Sequence, residues 1–224
     1  MKEAHGAPVL NFQFYILGGG MMKANALMLR GRAIVSEAST SGAERNQADA
    51  VLVARIRAGD EQAFELLMAR YQAPLFRYLR GLVHDQEQAR DLLQETFLRA
   101  YRAIGALDDP GLLRSWLYRI AHNQAYSALR RRRLISWLPL AFGQHLSTPA
   151  PDHGSIESAR VEAALARIPV QQRAPLLLHL VAGFSYAEVA ALLQVSEGTV
   201  RMRISRGRAA FRAAYGGEED DDAS

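Results

Sequence analysis

The sequence predicts an all-α protein in which two small helical domains are joined by a flexible linker. Apolar residues recur at three- and four-residue steps over residues 50–133 and again over residues 156–215. Between these stretches, residues 134–155 lose the period and contain Pro139, Pro149 and Pro151 among small polar residues. A chain of 224 residues is long enough to bury two such small cores.

The stretch from Phe184 to Arg212 carries the most specific local signals. Ser185 is a good N-cap, and Glu188 follows three residues later to complete a capping box. Phe184 and Val189 lie at the two positions of a hydrophobic staple. A second start signal follows at Ser196, so the stretch predicts a helix-turn-helix.

The second helix of this motif divides into two faces. One is a narrow inward stripe made by Val200, Ile204, Gly207 and Phe211. The other sides carry Thr199, Met202 and five arginines: Arg201, Arg203, Arg206, Arg208 and Arg212. A helix with such a face suits the major groove, where guanidinium groups bind phosphates or guanine edges. The alternative is an amphipathic surface helix with a solvated run of charge.

Composition bounds the possible functions. A formal net charge of +4 favours a polyanionic partner. The absence of cysteine excludes disulfides and thiol catalysis and fits the reducing cytoplasm. The apolar stretch from Pro8 to Leu17 is interrupted by Asn11 and Gln13 and is too short for membrane insertion. Without a phosphate-binding glycine loop, metal spacing or a nucleophile motif, we expect no enzyme activity, catalytic residue, metal site or cofactor.

Both ends of the chain lack helical periodicity. Residues 1–49 are interpreted as a disordered tail or as a misassigned translation start, since Gly18–Gly20 directly precede methionines. The true start would then be Met21, Met22 or Met28. Residues 216–224 form an acidic tail, which we expect to be solvated.

The helix predicted over residues 85–104 has two distinct faces. Its buried face is expected to contain Ala89, Leu92, Leu93, Thr96, Phe97, Ala100 and Ile104. The opposite face combines Asp91, Gln94, Glu95 and Leu98. A leucine among carboxylates suggests a docking patch for a basic protein surface, but a solvated acidic face with one stray leucine is an equal alternative.

A loop over residues 105–111 leads to a helix predicted from Leu113 to about Arg133, which buries Leu113, Leu117, Ile120 and Ala121. The outer face of this helix carries Arg119, His122, Asn123, Tyr126 and Arg130. Basic side chains interleaved with an aromatic ring and an amide suit a nucleic-acid strand. His122 has no second metal ligand four residues later, so a metal site is not expected.

Two further helices are predicted after the linker, one from Ile156 to Ile168 and one from Gln172 to Ala182. They are expected to support the helix-turn-helix. The linker itself is unusually apolar and suits a groove in a partner.

Three stretches in this order resemble the group IV, or extracytoplasmic-function (ECF), sigma factors of bacterial RNA polymerase. They are DQEQARDLLQETFLRAYRAI at residues 85–104, RSWLYRIAHN at residues 114–123, and ALARIPVQQRAPLLLHLVAGFSYAEVAALLQVSEGTVRMRISRGRAAFR at residues 164–212. The resemblance covers about residues 50 to 215. It implies a sigma factor that binds core RNA polymerase and directs promoter-specific initiation.

The resemblance also implies a role for each surface. The factor would contact the clamp helices and the flap of core polymerase. The contacts with the clamp helices would be made by Asp91, Gln94, Glu95 and Leu98. The −10 element would meet Arg119, His122, Asn123, Tyr126 and Arg130. The −35 element would meet Glu197, Thr199, Arg201, Arg203 and Arg206. The loop from Gly105 to Leu112 would capture a flipped base, the linker would thread toward the RNA exit channel, and an anti-sigma factor would be a further partner.

One departure from the family pattern concerns the loop sequence LDDPGLL, where the family often has aromatic or glycine-serine residues. The base that this loop accepts is therefore open. The alternative function is a stand-alone helix-turn-helix regulator, which predicts tight duplex binding by the chain alone. That alternative does not explain the face formed by Asp91 and Leu98.

Overall fold

The computed structural model describes residues 34–136 and 156–216, with side chains described within 44–133 and 158–216. These residues form α-helices and two short 3₁₀ turns, Ile104–Ala106 and Pro110–Leu112, and the described ranges contain no strand. The helices before the linker are α1 (Ile34–Arg57), α2 (Glu61–Val83), α3 (Gln86–Ala103) and α4 (Leu113–Ser136). Those after it are α5 (Ile156–Ala166), α6 (Val170–Leu180), α7 (Tyr186–Leu193) and α8 (Glu197–Gly216). The predicted all-α class with two helical domains is confirmed.

The first domain, α1–α4, begins earlier than the periodicity of the sequence indicates. The apolar repeat starts near Ala50, whereas α1 starts at Ile34. Asp49 explains part of this difference because its carboxylate is fully buried and accepts hydrogen bonds from the Tyr71 hydroxyl and from Arg70 Nη1 at 2.7 Å. A buried aspartate is invisible to an apolar pattern, yet here it ties the end of α1 to α2.

Local capping sets the junction between α2 and α3. Asp60 accepts a hydrogen bond from the Ala63 amide at 3.2 Å and starts α2. His84 ends that helix in the left-handed region, with φ of 55°. Asp85 then caps α3 by accepting from the Gln88 amide at 2.9 Å. All seven residues predicted for the inner face of α3 are buried.

The second domain, α5–α8, follows the predicted order with shifted boundaries, since α5 ends at Ala166 rather than at Ile168 and α6 ends at Leu180 rather than at Ala182. We expected α6 to start at Gln172, but it starts at Val170. The carbonyl of Pro169 accepts hydrogen bonds from the amides of Gln172 and Arg173, both at 2.9 Å, and this makes Pro169 the N-cap residue. Gln194 ends α7 in the left-handed region, with φ of 55° and ψ of 46°.

The two domains are in contact. α2 packs against α6, α4 packs against α7, and buried apolar residues of both domains form one continuous cluster. The apolar part of the linker over residues 137–155, the candidate translation starts and the acidic tail over residues 217–224 lie outside the described residues. No helix in the described ranges is long and apolar enough to cross a membrane.

Candidate nucleic-acid interface

The helix-turn-helix is built as its sequence predicts. Ser185 Oγ accepts from the Glu188 amide at 3.2 Å, and Glu188 Oε2 accepts from the Ser185 amide at 2.7 Å, which completes the capping box. Ser196 Oγ accepts from the Thr199 amide at 3.2 Å and lies 2.8 Å from the Thr199 hydroxyl. These caps set where α7 and α8 begin, and they engage the hydroxyl of Thr199 in the cap of α8.

The inner stripe of α8 rests on α6. Val200, Ile204 and Gly207 are buried, and Phe211 is half-buried. A Cβ atom at Gly207 would lie 3.1 Å from the carbonyl oxygen of Gln172, so glycine permits the close approach of the two helices. The support predicted for α8 is therefore present.

The outer face of α8 contains most of the predicted −35 residues. Glu197, Arg201 and Arg206 are exposed, whereas Thr199 and Arg203 are half-buried. Glu197 Oε1 accepts a hydrogen bond from Arg201 Nη2 at 3.0 Å, an exposed ion pair that orients the guanidinium group at little energetic gain.

Met202 is a residue of this face that the candidate set omits. Its side chain is 44% exposed on α8, next to the arginines. An apolar side chain on a groove-facing helix contacts thymine methyl groups. The signal was available in the sequence as the helical angle of Met202, which points away from the inner stripe.

The outer face of α4 presents four of its five predicted residues to solvent. Arg119, Asn123, Tyr126 and Arg130 are exposed. The donors, the ring and the amide lie along one side of the helix, as binding of a single strand requires.

His122 differs from the expectation for an outward residue. Its side chain is half-buried, its Nδ1 lies 2.9 Å from the Tyr78 hydroxyl, and its ring stacks on Tyr126 with centroids 5.9 Å apart. Burial lowers the pKa of His122 to about 4. The imidazole is therefore neutral near pH 7, and it supports the Tyr126 ring rather than adding positive charge.

The predicted docking patch is continuous on α3. Asp91 and Gln94 are exposed, and Glu95 and Leu98 are half-buried on the same side. Glu95 Oε1 accepts a hydrogen bond from Arg99 Nε at 2.7 Å. The patch lies opposite the buried face of α3, so its side chains are not required for the core.

The loop from Gly105 to Leu112 is held at several points. The side chain of Asp109 accepts from the Gly111 amide at 2.8 Å, and the carbonyl of Leu107 accepts from Arg57. Leu107 is buried, while Leu112 is 55% exposed. These contacts give the loop a defined shape before any ligand is present.

The predicted −10 and −35 surfaces face one another across the domain contact. A cavity of about 230 Å³ is lined by His122 and Tyr126 of α4 and by Leu193 and Arg203 of the helix-turn-helix. A second cavity of about 100 Å³ lies between Arg119, Asn123 and the turn residue Gln194. This juxtaposition was not visible in the sequence. Within the described residues, no three histidine, aspartate or glutamate side chains cluster as metal ligands would.

Comparisons with known proteins identify the two helical domains. The family model for sigma-70 region 2 matches residues 67–135, and the model for sigma-70 region 4 matches residues 158–211. The ECF RNA polymerase sigma factor SigM of Mycobacterium tuberculosis is 35% identical over 176 residues, which cover 78% of this chain and 88% of the relative. The chain belongs to the ECF group of the sigma-70 family. This sigma factor therefore binds core RNA polymerase and directs promoter-specific transcription initiation, and nothing in the comparisons supports the stand-alone regulator.

Solved structures show the same fold. CnrH, an RNA polymerase sigma factor of Cupriavidus metallidurans, was solved with the cytosolic domain of CnrY. It matches with a TM-score of 0.59 at 30% identity and covers 74% of this chain and 96% of its own. RpoE of Bartonella quintana, solved with the anti-sigma factor NepR, matches with a TM-score of 0.58 at 26% identity over 67% of this chain and 95% of its own.

Proposed function

We propose that this sigma factor acts in the cytoplasm, without enzyme activity, through three surfaces with separate tasks. Residues 50–133 bind core polymerase through α3 and the −10 strand through α4, and residues 156–215 bind the −35 duplex through α8. The observation that carries the proposal is that each of the three surfaces lies on a different helix, opposite a buried apolar stripe.

The α3 patch suits a basic protein surface. Asp91 and Glu95 are one helical turn apart, and Leu98 lies beside them with its side chain half-buried. Carboxylates steer a basic partner and set the register, while a leucine loses water-exposed apolar area on contact. The polymerase clamp helices are the partner proposed for this patch, and the flap is proposed for the second domain.

The α4 face suits an unpaired strand. Tyr126 offers an exposed ring held by the neutral His122, Asn123 offers an amide, and Arg119 and Arg130 offer guanidinium groups for phosphates. His122 is thus a positioning residue for Tyr126. A base displaced from the duplex would be received by the loop from Gly105 to Leu112, and its extrusion costs a few kcal/mol that strand and polymerase contacts offset.

The α8 face suits duplex DNA in the major groove. Arg206 is exposed, Arg203 is half-buried, and Arg201 is oriented by Glu197. Arginine donates a bidentate pair of hydrogen bonds to guanine O6 and N7, or it binds phosphate without distinguishing the base sequence. We propose that Arg203 or Arg206 reads a base, while Arg208 and Arg212 contact the backbone or pack at the rim.

Run-off transcription tests the function directly. The chain is added to core polymerase on a pool of genomic fragments, and the transcripts are sequenced. We expect transcripts to start downstream of a shared pair of −35 and −10 elements. Equal transcription from all fragments, or tight binding of one duplex site by the chain without polymerase, would contradict the proposal.

The division of labour among the α8 arginines is tested on the promoter so obtained. Replacing a base-reading arginine by alanine should lower the binding free energy by about 1–3 kcal/mol and relax the base preference at one −35 position. Replacing a phosphate-binding arginine weakens binding to all promoters equally. It also reduces the slope of log affinity against log salt concentration by about one unit. The variants Arg203→Ala, Arg206→Ala and Arg212→Ala are assayed on every single −35 substitution at two salt concentrations. An unchanged sequence profile for both Arg203→Ala and Arg206→Ala would show that α8 enters the groove at another angle.

An anti-sigma factor is proposed as the resting partner, because RpoE of Bartonella quintana was solved with one. Affinity purification of the tagged chain from unstressed cells checks this. Recovery of polymerase subunits alone would place regulation elsewhere.

A further inference from the structure

Leu112 carries an exposed apolar side chain on a backbone that is held at both of its polar groups. The side chain is 55% exposed and lies outside the buried core. Its amide donates to the Asp109 carbonyl at 3.0 Å, and its carbonyl accepts from Ser115 Oγ at 2.9 Å. The Pro110–Leu112 turn also packs against α1. The position of Leu112 is therefore set before any partner binds.

The other leucines of this loop have structural tasks that Leu112 does not share. Leu107 and Leu113 are buried and anchor the two ends of the loop, and Arg57 donates to the Leu107 carbonyl. One exposed leucine is common on a protein surface and needs no explanation by itself. The place of Leu112 relative to α4 is what points to a function.

Leu112 continues the proposed strand-binding face of α4. Leu113 already has helical backbone angles, with φ of −48° and ψ of −48°, so the turn runs into α4 without a break. Leu112, Arg119 and Tyr126 follow one another at intervals of seven residues, about two helical turns each, so they share one side. The face that combines an aromatic ring with guanidinium groups thus ends, at the loop, in an aliphatic side chain.

The length of this face suits a short single strand. Leu112 and Tyr126 are 14 positions apart, so the helix rises about 21 Å between them at about 1.5 Å per residue. A stacked strand rises about 3.4 Å per nucleotide, so the same distance holds about six nucleotides. Leu112 lies at the end of this track, beside the loop that is proposed to receive an extruded base.

A base that leaves its strand opens a gap between its two neighbours. Leucine is one of the side chains that proteins insert between base steps, because it covers base faces that have lost their stacking partner. Since the backbone of Leu112 is already fixed, insertion loses little conformational entropy. Arg119, on the same side of α4, is placed to hold the phosphates of that strand.

We propose that Leu112 is an apolar wedge that enters the base stack of the −10 strand, takes the place of the extruded base and keeps the promoter strands apart. The proposal rests on the proposed binding of the −10 strand by α4. It goes beyond that function because it assigns strand separation to one side chain. The partner that covers Leu112 is thus a base step of DNA rather than a protein surface.

Run-off transcription with core polymerase and the full chain tests the wedge on the promoter obtained from the fragment pool. The duplex is compared with a heteroduplex whose −10 bases are mismatched and therefore already open. We expect Leu112→Ser to lower transcription from the duplex about tenfold, or about 1.4 kcal/mol, and to leave the heteroduplex nearly unaffected. Equal losses on both templates would indicate a contact with polymerase or a damaged loop. That result, or normal transcription from the duplex, would overturn the proposal.

Two further variants separate a wedge from a general effect of polarity. Leu112→Met keeps an apolar side chain that can enter a base step, so it should transcribe the duplex nearly as well as the wild-type chain. Val51→Ser is the matched control, because Val51 is also 55% exposed but lies on α1. It should leave both templates unaffected. A loss on the duplex as large as that of Leu112→Ser, in either variant, would contradict the wedge.

Fluorescence of 2-aminopurine, placed at one −10 position of the duplex at a time, measures unstacking directly. The wild-type chain with core polymerase should brighten the probe at the position of the extruded base, and Leu112→Ser should leave it dim. Equal brightness with both chains would overturn the wedge and leave the proposed function standing. If the wild-type chain gave no promoter-specific transcripts, the proposed function would fail, and the wedge with it.

Discussion

We expect replacement of Asp91 and Glu95 together by arginine to abolish binding of the sigma factor to core RNA polymerase. Both carboxylates lie on the outer side of α3, one turn apart, with Leu98 beside them. The double substitution changes the local charge from negative to positive and sets like charges against a basic partner surface, which costs several kcal/mol across an interface. Pull-down of purified core polymerase by the tagged chain measures the effect, and run-off transcription should be lost with it.

The fold should survive this change. The substitution removes the exposed ion pair between Glu95 and Arg99, and an i,i+4 pair contributes only about 0.3–0.5 kcal/mol. The matched control is Glu61→Arg with Glu65→Arg, which reverses two exposed carboxylates at the same spacing on α2. Polymerase binding by the Asp91/Glu95 variant at the level of this control would exclude the α3 patch as the docking surface.

The second large effect is expected at Arg173, whose replacement by leucine lowers the free energy of unfolding by about 3 kcal/mol. Arg173 is only 5% exposed. Its Nη1 donates to the Leu165 carbonyl at 2.9 Å, and its Nη2 donates to the Leu82 carbonyl at 2.7 Å. Both carbonyls lie in the last turn of a helix, where a positive charge is favoured and where intrahelical partners are missing. Leucine fills space but leaves these acceptors buried without a donor.

The pKa of Arg173 is lowered to about 10, first by burial and then by the charge of Arg133, so its guanidinium group still carries a charge near pH 7. Urea unfolding followed by circular dichroism measures the change. The free energy of unfolding of Arg173→Lys should lie between those of the wild-type chain and Arg173→Leu. A single ammonium group cannot donate to both carbonyls as the two Nη atoms of the guanidinium group do. Arg212 is exposed, so Arg212→Leu is the control, and its free energy of unfolding should stay within about 0.5 kcal/mol of the wild-type value. An Arg173→Leu variant as stable as this control would show that water replaces the guanidinium group at both helix ends.

Much of the fold was predictable because its signals are local. Ser185 with Glu188, and Ser196 with Thr199, are separated by three residues, so the caps of α7 and α8 were evident in the sequence. The buried face of α3 follows from the helical period alone. The same period showed that Asp91 and Arg206 point away from the core, and the order of the motifs indicated the family.

The early start of α1 and the environment of His122 were not predictable in this way. Asp49 is buried against Tyr71, and the hydrogen bond between His122 and Tyr78 joins residues that are 44 positions apart. An apolar pattern does not show which polar side chains find partners across the core. His122 therefore lies on the predicted side of α4, but its ring is half-buried and held by Tyr78.

By itself, the sequence determined the helices, their caps, the outward faces and the family of this sigma factor, because each depends on residues a few positions apart. Only the tertiary structure decided how the two domains meet. The hydrogen bond from Arg173 to Leu82 spans 91 positions, and the contact of Tyr118 with Phe184 crosses the linker. No local rule specifies such pairs, because their energy depends on how two separately formed surfaces fit. That fit places the α4 and α8 surfaces against each other.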